Sequence, residues 1–258
     1  MLPHPTGLDG LAAWQRVVKT PRPHPPAFLV QGPTPISQPQ TTSLGGGVNT
    51  STSLNWSGYV DSGSSFTDMK TDYLEETPAG SQPCSNNAIS QWAGIGGVNS
   101  GNLAQDGTAL HEGYAGIPDH GAWAEVLPNG PIYMHFTVNA GDEVQADVQH
   151  YGSGFEFTVA DLTTGNSYGF FHTTSSYDGS TADAILERPY NGVGGYTTPL
   201  TQFSSPDEFF FADPNGNPLN QYTHTDYAMY SQSTGHELAH PGSVFSSDDF
   251  YDYYDNCG

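Results

Sequence analysis

Asp142-Glu143-Val144-Gln145-Ala146-Asp147-Val148-Gln149-His150-Tyr151 alternates apolar and polar side chains with a period of two. Val144, Ala146 and Val148 fall on one face of a strand. Outward from this stretch the pattern repeats. Phe155 to Leu162 and Tyr168 to His172 flank Thr163-Thr164-Gly165-Asn166-Ser167, which reads as a hairpin turn. Ala182 to Arg188 is a further strand, stopped by Pro189. No helix-period segment of useful length follows residue 50, and no strand–helix–strand rhythm appears. Many short strands broken by turns predict an all-β, antiparallel sandwich. The 31 glycines and 20 prolines among 258 residues fit frequent turns. That length suits one large β domain or two small ones. No apolar run is long enough to cross a membrane as a helix.

The first 50 residues read differently from the rest. Residues 9–20 carry Leu11, Trp14 and Val18 on one helical face, with Asp9 as N-cap and Pro21 as the stop. Residues 21–39 hold seven prolines and predict an extended, polyproline-like stretch. Residues 40–54 are rich in Thr, Ser and Gly. The division expected is a leader over 1–50, a propeptide or a tail, and a β-sandwich domain over 51–258.

Charge separates the two parts as well. The chain has 27 acidic and 5 basic residues. Arg16, Lys19 and Arg22 lie in the first 22 residues, where Asp9 is the only acid; from residue 23 onward 26 acids face 2 bases, Lys70 and Arg188. Such a body repels itself at neutral pH, and the repulsion fades as carboxylates take up protons near about pH 3–4. The balance argues against nucleic-acid partners and anionic membranes. It fits both an acidic working medium and a merely acidic surface. Cys84 and Cys257 are either one disulfide or two free thiols. No secretory signal is visible at Met1.

Short motifs carry the chemistry. In order they are Asn55-Trp56-Ser57-Gly58-Tyr59-Val60, Trp92-Ala93-Gly94-Ile95-Gly96-Gly97, Gln105-Asp106-Gly107-Thr108, Trp123-Ala124-Glu125 with Pro128, and Ala182-Asp183-Ala184-Ile185-Leu186-Glu187-Arg188-Pro189. On a regular strand Asp183, Ile185 and Glu187 share one face, and Ala184 and Leu186 share the other. The second face is apolar and belongs to a core. Glu187 then faces a cleft, if that side of the sheet is concave, and burial there raises its pKa toward general base or acid work. Equally, it is a strand-end carboxylate paired with Arg188 or solvated. Gln105, read as lying on a Gly-rich turn, offers a carboxamide that donates hydrogen bonds and does not titrate. By itself it is an ordinary turn residue. Trp56, Trp92 and Trp123 suit either core packing or exposed positions in a peptide-binding cleft.

Together the motifs resemble the glutamic peptidases (eqolisins) over roughly residues 53–257. The resemblance implies a concanavalin A-like jelly-roll sandwich and an acid-acting endopeptidase without cofactor or metal. It implies protein or peptide substrates, a monomer, secretion, and synthesis as a precursor. It maps the catalytic pair onto Gln105, which stabilises the oxyanion, and Glu187, which activates water. Glu125 becomes a supporting cleft residue, with Trp56, Trp92 and Trp123 as substrate-binding residues. Two positions depart from the family pattern: Ala184 stands where an aromatic is usual, and Gly96 where Asp is frequent.

His236-Glu237-Leu238-Ala239-His240 matches the zinc-peptidase pattern. That chemistry needs a helix, and Gly235 and Pro241 leave room for one turn at most, so no metal is expected there. Two other readings remain. One is a carbohydrate-binding lectin on the same kind of sandwich; the other is an inactive member of the family.

Overall fold

A computed structural model describes residues 50–63, 65–98, 100–111, 120–191, 196–204 and 206–258. The expected helix over 9–20 and the Pro-rich leader lie outside the described residues. The strands in chain order are β1 (Thr50–Ser53), β2 (Trp56–Ser62), β3 (Asp68–Leu74), β4 (Ala88–Gly96), β5 (Leu103–His111) and β6 (Gly121–Val126). Then come β7 (Ile132–Thr137), β8 (Glu143–Tyr151), β9 (Gly154–Asp161), β10 (Asn166–Thr173) and β11 (Thr181–Glu187). The last six are β12 (Tyr190–Asn191), β13 (Tyr196–Thr197), β14 (Asp207–Pro214), β15 (Thr223–Tyr230), β16 (Glu237–Pro241) and β17 (Phe250–Tyr254). The one helical element among the described residues is a 3-10 turn, Leu219–Gln221.

One sheet runs β10-β9-β8-β3-β14-β17-β16-β15-β2-β11-β4-β5-β6-β7, with antiparallel pairs throughout and β1 added in parallel to β15. The sheet folds over on itself. β8 and β9 lie across from β4 and β5, and β3 lies across from β4 and β11. The result is a two-layer sandwich made from a continuous sheet.

The alternation that predicted the strands also places the core. Val144, Ala146 and Val148 of β8 and Phe155, Phe157 and Val159 of β9 are buried. They share one apolar cluster with Ile89, Ala93 and Ile95 of β4 and with Ala184 and Leu186 of β11. Each large apolar side chain removed from water contributes about 1.5–3 kcal/mol. The predicted hairpin is present: β9 and β10 pair in register from Asp161 and Asn166, and Gly165 turns with φ +78°. Cys84 and Cys257 form a disulfide across 173 residues, which settles the open pairing. Closing a loop of that size restricts the unfolded chain by about 5 kcal/mol in the chain-entropy account.

Both departures from the family pattern have a structural context. Ala184 faces the main core between Tyr59 of β2 and Ala93 of β4 and is fully buried. Gly96 has φ +89°, and a Cβ there would lie 2.4 Å from the Asn102 carbonyl and 2.7 Å from that of Asp178. An aspartate does not fit that backbone.

Candidate active site

The outer face of β2, β11, β4, β5 and β6 carries the site. Register decides which side chains share it, because directly opposed residues on paired strands point the same way. Trp56, Glu187, Ser90 and Ala109 form one row. Ile185, Trp92, Gly107 and Trp123 form the next. Asp183, Gly94, Gln105 and Glu125 form the third. All six candidate residues therefore lie on one face, opposite the main core.

One expectation needs correction, and one open alternative is decided. Gln105 is not on a turn; it sits inside β5. Gly107 suggested the turn, but it is a strand glycine whose Cβ would lie 2.0 Å from the Gln91 carbonyl. The three tryptophans are not exposed. Trp56 and Trp92 pack edge to face with ring centroids 5.0 Å apart, and with Trp123, Ile185, Leu103 and Tyr227 they make a second apolar cluster.

Each polar group has its own holders. The Glu187 carboxylate is fully buried; Oε1 accepts from Asn55 Nδ2 at 2.8 Å and Oε2 accepts from Trp92 Nε1 at 2.8 Å. Gln105, also fully buried, donates from Nε2 to Glu125 Oε2 at 2.8 Å. Among the described residues no donor reaches Gln105 Oε1 or Glu125 Oε1. Trp123 Nε1 donates to Ser90 Oγ at 3.2 Å. Among the described residues the Trp56 indole Nε1–H makes no full hydrogen bond, yet it favours the ionised form of Glu187.

Burial governs the protonation of this face. It drives Glu187 well above the usual carboxylate range; the Asn55 and Trp92 donors oppose it, and the charge of Glu125 adds to it. Burial pushes Glu125 up to about 8, against the Gln105 donor. Asp183 shares the face with neither oxygen bonded, and burial raises it well above its ordinary value. Glu187 is thus a strand-end carboxylate, but it is neither solvated nor paired with Arg188. The Arg188 guanidinium turns away, donating from Nε to the Leu54 carbonyl at 2.6 Å.

A family model described as the Peptidase A4 family matches residues 54–212, more than half of the chain. The chain belongs to the Peptidase A4 family. It is a peptidase of the glutamic type. Solved structures of similar fold include scytalido-glutamic peptidase with a peptide-based transition-state analogue, at 21% identity and TM-score 0.66, covering 78% of this chain and 98% of that one. SCP-B, described as an eqolisin in complex with the tripeptide Ala-Ile-His, has 20% identity and TM-score 0.63 over 78% of this chain and 98% of its own. Aspergilloglutamic peptidase from Aspergillus niger has 22% identity and TM-score 0.50 over 65% and 99%. Comparison with curated proteins gives no match.

Within this Peptidase A4 chain the zinc-like segment is no helix. Glu237–Pro241 is strand β16, so His236 and His240 do not take the helical spacing that zinc chemistry needs. His240 Nδ1 instead lies 2.7 Å from Asp255 Oδ2. Asn55 touches this candidate site, and the sequence reading missed its contact with Glu187. It stands in a quoted motif, but its partner follows only from the pairing of Trp56 with Glu187. Tyr227 joins the same face with no local sequence signal.

Proposed function

We propose that this peptidase is an acid-acting endopeptidase whose working pair is Gln105 and Glu187. The observation that carries this reading is that both side chains occupy one sheet face, each fixed by partners of its own. In the proposed reaction the ionised fraction of Glu187, a minority in acid because burial raises its pKa, takes a proton from water, and the hydroxide oxygen bonds to the scissile carbonyl carbon. The free N–H of the Gln105 amide donates to the oxyanion, while Glu125 keeps the amide oriented. Glu187 then returns the proton to the amine nitrogen as the C–N bond breaks. Asn55 and Trp92 hold Glu187 toward the form that can act as base. Trp56, Trp92 and Trp123, buried in this structure, would offer apolar surface to an extended peptide once the site is uncovered.

Acidic operation is supported by the buried carboxyls. Those on and around the site are raised, so low pH favours the folded state. We also propose export from the cell, action as a monomer, and a basic leader that restrains the site until released. The disulfide fits an oxidising compartment. Among the described residues no helix is long and apolar enough to cross a membrane. The fully buried state of Gln105 and Glu187 supports latency, because a peptide must reach both. Ala184 faces the core, so the change there gives no reason for an inactive site.

The test is hydrolysis of casein and of unblocked peptides at about pH 3–4, with and without pepstatin. Glu187→Gln and Gln105→Ala should each lose about 10²-fold or more in rate while keeping the wild-type fold by circular dichroism. Near wild-type turnover in either folded variant overturns the pair.

A further inference from the structure

The structure assigns a second, non-catalytic site to this chain: Glu75, Glu76 and His120 form a pocket for one divalent transition-metal cation, with zinc the best match to the donor set. One imidazole nitrogen with two carboxylates is a zinc-type combination, also open to manganese.

The three residues converge from separate elements. Glu75 and Glu76 follow β3, and His120 precedes β6. One ligand atom from each lies within 4.8 Å of the others. His120 Nδ1 is 2.7 Å from Glu75 Oε1 and 3.9 Å from Glu76 Oε1. Tetrahedral zinc, with bonds of about 2.0–2.1 Å, sets its donors about 3.3 Å apart. That value falls between the two distances, so shifts of about half an ångström reach it.

The backbones are anchored. The Glu75 N–H donates to the Asp142 carbonyl at 2.8 Å, and the Glu75 carbonyl accepts from the Gly141 N–H at 2.8 Å. The Glu76 N–H donates to Gln91 Oε1 at 3.1 Å, and the His120 carbonyl accepts from the Val138 N–H at 3.1 Å.

What points to a ligand is the state of the carboxylates. Glu76 is 3% exposed, and among the described residues no donor reaches either of its oxygens; Glu75 is 1% exposed, and its Oε2 is equally bare. Three carboxylate oxygens in a dry place need protons or a cation. His120 supplies at most one positive charge against two carboxylates. Asp207 and the Tyr73 hydroxyl, which also face this pair, supply none. A divalent ion neutralises both carboxylates and reaches the bare Glu76 Oε1; bidentate coordination brings in the two Oε2 atoms. The competing state is a proton shared by Glu75 and Glu76.

The test uses the full chain, stripped with chelator, dialysed, and titrated with zinc chloride at pH 7 by calorimetry. One zinc should bind per chain and raise Tm. Glu76→Gln and His120→Gln should each weaken binding by about tenfold or more. His240→Ala should leave binding unchanged; it removes the surface group of Glu237, His240 and Asp255. If Glu76→Gln or His120→Gln does not fold, the ring-nitrogen resonances of the wild-type histidines decide, and zinc must move those of His120. No saturable binding by the wild type, wild-type affinity in folded Glu76→Gln and His120→Gln, or loss of binding in His240→Ala each overturns the site.

Discussion

Asn55 Nδ2 stands 2.8 Å from Glu187 Oε1, although 132 residues separate the two in the chain. The contact is a consequence of strand pairing. Trp56 opposes Glu187 across β2 and β11, and Asn55, just before β2, reaches over the strand end. The Arg188 N–H closes the same corner on the Asn55 carbonyl at 3.0 Å.

Asn55→Ala should weaken catalysis mainly at low pH. An N–H donor favours the charged form of its carboxylate, so removing it raises Glu187 further. A smaller fraction of Glu187 is then ionised at any acidic pH. The acid limb of kcat/KM should move to higher pH, with activity below that limb reduced about tenfold. An unmoved limb would show that Asn55 does not act through Glu187.

Glu125→Gln should keep activity in acid, whereas Glu125→Ala should lose about tenfold or more. Glutamine still accepts from the Gln105 amide, and alanine leaves that buried donor unpaired. Because Glu125 is pushed up to about 8, it is neutral in acid, and replacing it with a neutral group changes little there. The two variants compared at about pH 4 and again near neutrality separate amide orientation from charge. Equal losses in Glu125→Gln and Glu125→Ala in acid would argue against the orienting role.

Stability should fall as pH rises from about 4 to 8. Burial raises Asp68 and Asp72 to about 6, Asp252 to about 7 and Asp61 to about 8, all from 3.8. In that window the folded chain holds protons that the unfolded chain has lost, so each raised group favours folding at low pH. This contribution is complete below the unfolded values and gone above the folded ones. Calorimetric Tm should therefore decline across the window. A Tm that is flat or rising to pH 8 contradicts the burial of these groups.

Ala184→Trp should destabilise by about 1–3 kcal/mol through overpacking. Ala184 is enclosed by Tyr59, Ala93 and the main core, with nothing exposed. Urea unfolding measures the change. A gain in stability would mean that the space an aromatic takes in relatives is still open here.

Processing of the leader, if it occurs, should cut within residues 40–49. β1 begins at Thr50 and pairs in parallel with β15 through Ser53, whose Oγ accepts from the N–H groups of Asn55 and Trp56. A cut inside β1 would loosen the residue that holds Glu187. N-terminal sequencing after an acid shift locates the site. Mature termini beyond Ser53 in an active enzyme would contradict this reading.

The sequence made some of this legible. Strands β8 to β10 and the two faces of β11 follow from a period of two, because sheet burial repeats every second residue. The separation of Glu187 from Ala184 and Leu186 came with it. Gln105 was misplaced because Gly107 reads locally as a turn. Its real cause lies on the neighbouring strand, where the Gln91 carbonyl leaves no room for a Cβ. Core packing and exposure stayed equally open for the tryptophans, because a local motif carries no information about ring-on-ring packing. Asn55 and Tyr227 needed the register of β2, β11 and β15, which no local pattern encodes.

The path of the sheet ends at β7 and β10, and the fold brings these two strands close to each other. Open strand edges are templates for pairing with other molecules. β10 also exposes Phe171, and β7 exposes Ile132. Charge normally keeps such edges apart, but a chain with a pI near 4.3 loses that defence in the acid where it is proposed to work. Turning both margins toward one flank brings these two edges together in one seam. Colloidal behaviour at the isoelectric point then depends on that seam, and lysines placed on β10 are the direct way to protect it.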